Sequence, residues 1–308
     1  MKKKFKLAWR IIARTGENFS EDNCMKLAAS LSYYTIFAMA PLLIIIISTV
    51  GSIFGRDAVQ GTVYTELRGL VGNEAALQIQ EIIANLQNSH NTALGAIVGI
   101  IILIVGATGI FTEIQSSINF IWSVKAKPRK SWLKYLINRG LSFILVLTLG
   151  FLLVVTLIAG ILLEVLDDKL ARLFPNATVY LLNTLNIALP LVTITSLFLV
   201  IYKVLPDAVI SWRDALIGSV FTALLFLAGR YVINLYLGKS GLGVTYGAAA
   251  SIVIILSWVY YSSVILYFGA EFTRAFALET GHGIKPKTTA VFILKQEAKE
   301  IPPSRLNL

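Results

Sequence analysis

Residues 246–272 read YGAAASIVIILSWVYYSSVILYFGAEF, and Glu271 is the one residue of this stretch that is charged at neutral pH. As an α-helix the stretch would extend for about 40 Å at 1.5 Å per residue, which exceeds the roughly 30 Å hydrocarbon core of a bilayer. An apolar run of this length is typical of a transmembrane helix. The number of such runs in the chain therefore decides the fold.

Six apolar stretches are long enough to span a bilayer. We place them at 27–54, 93–121, 141–163, 179–205, 215–237 and 246–272. The fourth has the weakest signal, because Asn183, Asn186 and Pro190 interrupt it. Since only helices and closed barrels satisfy the backbone inside lipid, the pattern predicts an all-α fold: a polytopic membrane protein with six transmembrane helices.

The overall composition excludes several other classes of protein. Of 308 residues, 56% are hydrophobic and 14% are charged, and the mean hydropathy is +0.74. Soluble domains carry roughly a quarter charged residues and avoid large exposed apolar patches. The chain holds one cysteine, Cys24, which excludes an internal disulfide framework. A soluble enzyme, a disulfide-rich secreted domain and a disordered chain are therefore excluded.

The basic residues predict how the chain is oriented. Of the 27 lysine and arginine residues, 21 precede the first span, follow the last span, or lie between spans two and three or four and five. Five lie on the opposite side, and Arg230 lies within a span. The positive-inside rule then places both termini in the cytoplasm. The net charge of +10 is explained mostly by this topology, and we expect no nucleic-acid partner.

Three regions are predicted along the chain. Residues 1–26 form a cytoplasmic segment, residues 27–277 the transmembrane domain, and residues 278–308 a cytoplasmic tail expected to be poorly ordered. The outer loop, 55–92, is expected to carry two short helices because its apolar residues keep a helical period.

The N-terminal segment has the pattern of an amphipathic helix. Its apolar and basic residues fall on different faces: Phe5, Ala8, Trp9 and Ile12 on one, and Lys6, Arg10 and Arg14 on another. Such a helix lies at the interface of an anionic inner leaflet. A disordered basic tail is the alternative.

Polar residues inside the spans are informative because each is costly in lipid. They predict an intramembrane polar site. Its candidate residues are Glu113, Gln115, Asn119, Arg230, Asn234, Tyr260, Tyr267 and Glu271. We expect Glu113 and Arg230 to face one interior, with Glu164 as a rival partner for Arg230. The site either lines a transport path or forms a static hydrogen-bonded core.

The sequence offers little from which to build a catalytic site. His90 and His282 are predicted in loops on opposite sides of the membrane, so they cannot share a metal ion. Asp207 and Asp214 share a cytoplasmic loop and are expected to lack a histidine partner and to flank the start of the fifth span. We therefore predict no catalytic residues, no metal, no cofactor and no enzymatic activity.

Four motifs, in order along the chain, resemble the signatures of the YihY/BrkB family. They are AASLSYY at 28–34 with Pro41-Leu42; Phe111, Gln115, Asn119 and Trp122; Leu205-Pro206 with Trp212-Arg213, Ala215 and Gly218; and Trp258 with Gly269-Ala270-Glu271. The resemblance implies a bacterial inner-membrane protein with six spans. The family was once labelled ribonuclease BN, a label now regarded as misassigned, and its members are linked to envelope biogenesis, virulence, and ion or lipid transport.

Taken together, the residues and the resemblance favour transport of a small ion or a lipid-like envelope precursor across the cytoplasmic membrane. A non-transporting scaffold for envelope assembly is the alternative, and a membrane-bound ribonuclease is disfavoured. The expected partners are membrane lipids and a small-molecule or ion substrate. The sequence leaves the oligomeric state open.

Overall fold

The computed structural model describes residues 2–37, 76–77, 80, 109–127, 140, 175–239 and 250–295. The predicted third span, most of spans one and two, and the two helices expected in the outer loop lie outside the described residues.

The described part of the chain is mostly helical. Its helices are α1 (Lys2–Glu21), α2 (24–37), α3 (109–121), α4 (Pro175–Val204), α5 (Trp212–Lys239) and α6 (Ala250–Glu279). Within α5 and α6, the segments Trp212–Leu237 and Ile252–Glu279 are long and apolar enough to cross a bilayer. They coincide with the predicted fifth and sixth spans. In α4, which coincides with the fourth, the apolar segment Ala188–Val204 is shorter.

Four short strands form two antiparallel pairs. They are β1 (Val124–Ala126), β2 (Ala208–Val209), β3 (Lys285–Pro286) and β4 (Ala290–Phe292). β1 pairs with β4, and β2 pairs with β3. The prediction of a poorly ordered tail is therefore wrong for residues 278–295. The tail is ordered because two loops at the same end of the helices offer it backbone hydrogen bonds.

A glycine turn directs the tail back towards the helices. Gly281 and Gly283 follow α6 with φ angles of 81° and 65°, a region that glycine adopts without steric cost. The Gly283 N–H donates to the carbonyl of Ala277 over 3.0 Å, which satisfies a carbonyl of the last helical turn. This turn starts the path that leads to β3 and β4.

Helices α4, α5 and α6 pack closely because glycines lie at their contacts. A Cβ atom on Gly269 would lie 2.0 Å from Oγ1 of Thr222 and 2.5 Å from Oη of Tyr202. A Cβ on Gly218 would lie 1.9 Å from Oγ1 of Thr273. Small residues of this kind allow membrane helices to approach one another. The contact places the polar face of α6 inside the bundle.

Helix α1 packs against the end of α6. Ile11 and Thr15 are buried, and the Arg14 guanidinium lies 2.6 Å from the Glu279 carboxylate. Trp9 and Ile12 stay exposed on the other side of the helix. The predicted amphipathic helix is confirmed, and its apolar exposed face fits a position at a membrane surface.

Four segments meet at one end of the bundle, which we call the inner end. They are the turn after α1, the loop after α3, the loop between α4 and α5, and the tail. The strand pairs join the two loops to the tail, and Arg274 near the end of α6 lies 3.6 Å from Asp22 in the turn. The basic-residue pattern assigns all four segments to the same side of the membrane.

Candidate functional site

Two residues of α3 hold the loop that follows α4. The Asn119 Nδ2 donates to Oδ2 of Asp207 over 2.9 Å, and the Asp207 backbone N–H donates to Oδ1 of Asn119 over 2.8 Å. The Gln115 Nε2 donates to the Leu205 carbonyl over 2.9 Å and lies 3.3 Å from Oδ2 of Asp207. We call Gln115, Asn119 and Asp207 the inner clasp.

The inner clasp joins Gln115 and Asn119 of the second motif to Asp207, which directly follows Leu205-Pro206 of the third. Next to it, the Trp122 Nε1 donates to the Ala270 carbonyl over 3.0 Å. Residues of the second motif therefore donate hydrogen bonds to residues of both the third motif and the last motif. Because the clasp residues are buried and bonded to one another, the arrangement is that of a structural joint between α3, α4 and α6.

A second group of polar side chains is buried without such partners. It consists of Ser117 on α3 and of Tyr267 and Glu271 on α6, with 2%, 0% and 0% of each residue exposed. The Ser117 Oγ, Tyr267 Oη and Glu271 Oε2 make no hydrogen bond to any described residue. Buried polar atoms without partners are rare in folded proteins and indicate a water, ion or ligand. We call these three residues the buried polar site.

The residues around the buried polar site come from three helices. Tyr267 neighbours both Ser117 and Glu113, although the two hydroxyls do not have the geometry of a hydrogen bond. On the other side, the Cys24 Sγ at the start of α2 lies 4.0 Å from Oε1 of Glu271. Burial raises the pKa of the Cys24 thiol far above its usual value, with a further increase from the nearby Glu271. Cys24 is therefore a neutral thiol at physiological pH.

Charged groups close the inner end of this site. The Arg274 Nη1 lies 3.7 Å from Oε2 of Glu271 and 3.6 Å from Oδ2 of Asp22. The Lys295 ammonium contacts the same Asp22 oxygen and donates to the Ile121 carbonyl over 3.2 Å. Burial lowers the pKa of Lys295. We call Asp22, Arg274 and Lys295 the inner ion cluster.

Arg230 and Asn234 lie elsewhere, on the outer half of α5. The Arg230 guanidinium lies 5.3 Å from the centre of the Tyr231 ring, and Asn234 Oδ1 is buried without a hydrogen bond to the described part of the chain. Among the described contacts, none joins Arg230 to Glu113. Their shared site stays a prediction, and the rival partner Glu164 lies outside the described residues.

The predicted site residues therefore occupy several places. Gln115 and Asn119 belong to the inner clasp, and Tyr267 and Glu271 to the buried polar site. Tyr260 is half-buried and packs against the main hydrophobic core. Glu113 is near enough to Tyr267 to act on it electrostatically, whereas Arg230 and Asn234 have other neighbours.

Asp214 has a histidine neighbour, contrary to the prediction from sequence. It lies in the first turn of α5, where its N–H donates to the Ser211 Oγ over 3.1 Å. Its Oδ1 lies 3.2 Å from Nδ1 of His282. This contact forms because the tail folds back and places His282 beside the start of α5. The predicted position of Asp214 at a helix start is confirmed, and a carboxylate there is favourable.

Several residues of the site were not predicted. The sequence contains a local signal for Arg274, which follows Glu271 by three positions, a spacing at which helical side chains meet. Asp22 and Cys24 had no such signal, because only the packing of α1 and α2 brings them to α6. Lys295 depends on the strand pairing of the tail. The described residues hold no group of three or more His, Cys, Asp or Glu side chains placed to bind a metal ion.

Comparisons with known proteins agree with this picture of a membrane protein. Residues 15–291 match the family described as "Virulence factor BrkB". Over 272 residues the chain is 26% identical to a "UPF0761 membrane protein" of Alcanivorax borkumensis, covering 86% of this chain and 59% of that protein. Over 257 residues it is 30% identical to a "UPF0761 membrane protein" of Pseudomonas aeruginosa (strain LESB58), covering 82% and 59%.

A relative of the same name from Alkalilimnicola ehrlichii is 30% identical over 269 residues, covering 85% of this chain and 57% of that protein. The chain thus spans about three fifths of the length of the curated relatives it matches. No solved structure matches it.

Proposed function

The chain belongs to the BrkB family of membrane proteins, and from that premise we propose that it transports a small ion across the cytoplasmic membrane. The family membership confirms the resemblance carried by its four sequence motifs. A lipid-like envelope precursor is the second substrate class that the sequence favours.

The observation that carries this proposal is the set of buried polar atoms that make no hydrogen bond to the described residues. Among them, Glu271 Oε2 has only the Arg274 guanidinium nearby, at 3.7 Å. Leaving a buried donor or acceptor unsatisfied costs about 1–3 kcal/mol. A static core would be expected to satisfy such groups, as the inner clasp does. An ionisable residue inside a membrane bundle is by default a candidate for an ion or proton path. Glu271 meets that description.

The chemistry of the site favours a small cation over an anion. A carboxylate and two hydroxyls present oxygen atoms, which suit a proton or a hard cation. Beside the site, Asp22 pairs with Arg274 and Lys295. We therefore propose a proton or another small cation as the substrate class.

The topology belongs to the same proposal. Six spans, with both termini and the inner end in the cytoplasm, follow from the positive-inside rule. The meeting of four predicted cytoplasmic segments at one end supports this orientation. In this proposal the protein has no enzymatic activity, and lipids are its immediate surroundings.

One observation favours the alternative, a scaffold for envelope assembly. The inner clasp is a hydrogen-bonded joint, and two of its three residues, Gln115 and Asn119, belong to the second sequence motif. Motif residues with a purely structural role are what a scaffold requires. The two functions differ in what they require of Glu271.

The test is ion flux with the purified full-length protein in liposomes. The dissipation of a proton, Na⁺ or K⁺ gradient is followed with fluorescent indicators for wild type, Glu271→Gln and the matched control Glu279→Gln. Glu279 is on the same helix but pairs with Arg10 and Arg14 of α1. We expect flux in wild type and Glu279→Gln, and its loss in Glu271→Gln. Absence of flux in wild type for all three cations, or full flux in a folded Glu271→Gln protein, would contradict the proposal.

A further inference from the structure

The inner ion cluster stands between the buried polar site and the inner end. Arg274 lies three residues beyond Glu271 on α6, which is about 4.5 Å along the helix axis. Asp22 pairs with both Arg274 and Lys295. Cys24 is fully buried behind them, and all four charged groups act on its thiol electrostatically. A cation moving from the inner end to Glu271 would have to pass this cluster.

Backbone pairing sets the position of Lys295 in the cluster. β4 runs antiparallel to β1, with Ala290 opposite Ala126 and Phe292 opposite Val124. The Ile293 N–H extends the pairing by donating to the Ser123 carbonyl over 2.9 Å. The same direction brings Lys295 to the end of α3, where its ammonium binds the Ile121 carbonyl and lies 4.6 Å from the centre of the Phe120 ring.

The strand pairing that positions Lys295 is weak enough to open while the helices stay folded. Strand pairs of two and three residues are marginal by themselves, and Val291 and Phe292 are exposed. The Lys295 side chain keeps 22% of its surface in contact with solvent. Elements with few buried apolar contacts open locally while the rest of a protein stays folded. Ile284 is buried in the main hydrophobic core and stays in place, so opening of residues 285–295 would leave the helices packed.

We propose that residues 285–295 form a strap that gates the inner access to the buried polar site. With Lys295 on Asp22 the site is closed, both because the side chain blocks the way and because its positive charge repels an entering cation. Release of Lys295 opens the way and leaves the Asp22 carboxylate with Arg274 as its remaining ion-pair partner, so that it attracts a cation more strongly. The inference rests on the proposed function, since a gate has a role only at a site that exchanges a ligand with the inner side.

Cys24 is a native reporter for this gate. It is the only cysteine of the chain and lies behind the cluster. The full-length protein in inverted membrane vesicles is treated with a membrane-impermeant methanethiosulfonate, and the labelling rate of Cys24 is measured by mass spectrometry. We expect slow labelling in wild type and labelling at least about tenfold faster in Lys295→Met, equivalent to about 1.4 kcal/mol.

Two control variants test whether the labelling rate of Cys24 depends specifically on the charge at position 295. Lys285→Met removes a charge of the same tail at an exposed position of β3 and should label like wild type. Lys295→Arg keeps the charge and should also label slowly. Because Lys295 favours the thiolate of Cys24, its removal lowers the intrinsic reactivity of that thiol. Faster labelling therefore reports greater access.

A second variant tests the strap without changing Lys295. Phe120→Leu removes the ring beneath the ammonium at a partly exposed position and should speed labelling by about two- to fivefold. Equal rates in wild type, Lys295→Met and Phe120→Leu would overturn the strap, as would rapid labelling of wild type or equal acceleration in Lys285→Met. If Cys24 labelling follows the expected pattern but no ion flux is measured, the strap is supported and transport is rejected. Flux without a change in labelling would reject the strap alone.

Discussion

Asn119 and Asp207 exchange two hydrogen bonds across 88 positions of the sequence, at 2.9 and 2.8 Å. One bond uses the amide nitrogen of Asn119 as donor and the other its amide oxygen as acceptor. Both side chains are buried. The pair fixes the loop after α4 to α3, and few other residues of this size offer a donor and an acceptor together.

Asn119→Ala should lower the free energy of unfolding by about 3 kcal/mol. It removes both bonds and leaves the buried Asp207 carboxylate with fewer donors, and bonds to charged groups are worth about 1.5–3 kcal/mol each. Thermal or chemical unfolding in detergent measures the change.

The control for this variant is Ser116→Ala on the same helix. Ser116 is exposed, and its hydroxyl bonds within α3 to the Glu113 carbonyl. Its replacement should change stability by less than about 0.5 kcal/mol. Equal stability of the two variants would show that the inner clasp does not contribute to folding.

Two glycine substitutions should act in opposite directions. Gly269→Ala places a Cβ 2.0 Å from the Thr222 hydroxyl, so that α5 and α6 must separate, and overpacking of this kind costs about 1–3 kcal/mol. Gly16→Ala lies in α1 with nothing within 4 Å of the added atom, and should stabilise the helix by about 0.5–1 kcal/mol. The unfolding temperatures of the two variants should fall on either side of that of wild type. A Gly269→Ala protein as stable as wild type would contradict the close packing of α5 and α6.

The purified protein should not cleave RNA. Although His282 lies 3.2 Å from Asp214, Asp214 is fully buried and cannot reach a nucleic acid. Asp207 is held in the inner clasp, and acid–base chemistry requires a group within reach of the substrate. A labelled RNA should be degraded no faster than by a mock preparation. His282→Ala provides the control, since a cleavage activity lost in this folded variant would establish a catalytic role.

Reporter fusions should place the inner end in the cytoplasm. We expect alkaline phosphatase to be active when fused at Asn73 and inactive when fused at Gly140 or at the C-terminus, because this enzyme folds only outside the cytoplasm. Green fluorescent protein should show the reverse pattern. An exported C-terminus together with an internal Asn73 would reject the topology. Opposite locations for Gly140 and the C-terminus would contradict the shared inner end.

The polar residues of α3 show how far the sequence pattern reaches. Gln115 and Asn119 are one turn apart, and the pattern correctly predicts that they share a face. Glu113 and Ser117 share another. Periodicity describes faces but does not say what packs against each one. In the structure the first face meets the loop at Asp207 and the second meets Tyr267, so residues predicted to form one site separate into a joint and a site.

The polar residues of α6 show what the sequence indicates more directly. Tyr267 and Glu271 follow each other by one turn in a long apolar helix, and both are completely buried. The strong cost of polar groups in lipid explains why their burial is readable from sequence. Their neighbours cannot be predicted in the same way, since Cys24 lies 247 positions from Glu271 in the sequence. The tail was predicted incorrectly because its glycines and prolines indicate only the absence of a helix, and strand pairing with a distant loop leaves no local pattern.

The sequence by itself determined that this protein is a helical membrane protein, where two helices long and apolar enough to cross a bilayer lie, that its N-terminus is an amphipathic helix, and which family it belongs to. These properties follow from local composition, helical period and motif order, which need no knowledge of distant contacts. Only the tertiary structure decided that Asp207 joins α3, that Cys24 lies beside Glu271, and that Lys295 closes on Asp22. The physical reason is that each of these contacts depends on helix packing and strand pairing between segments far apart in the chain.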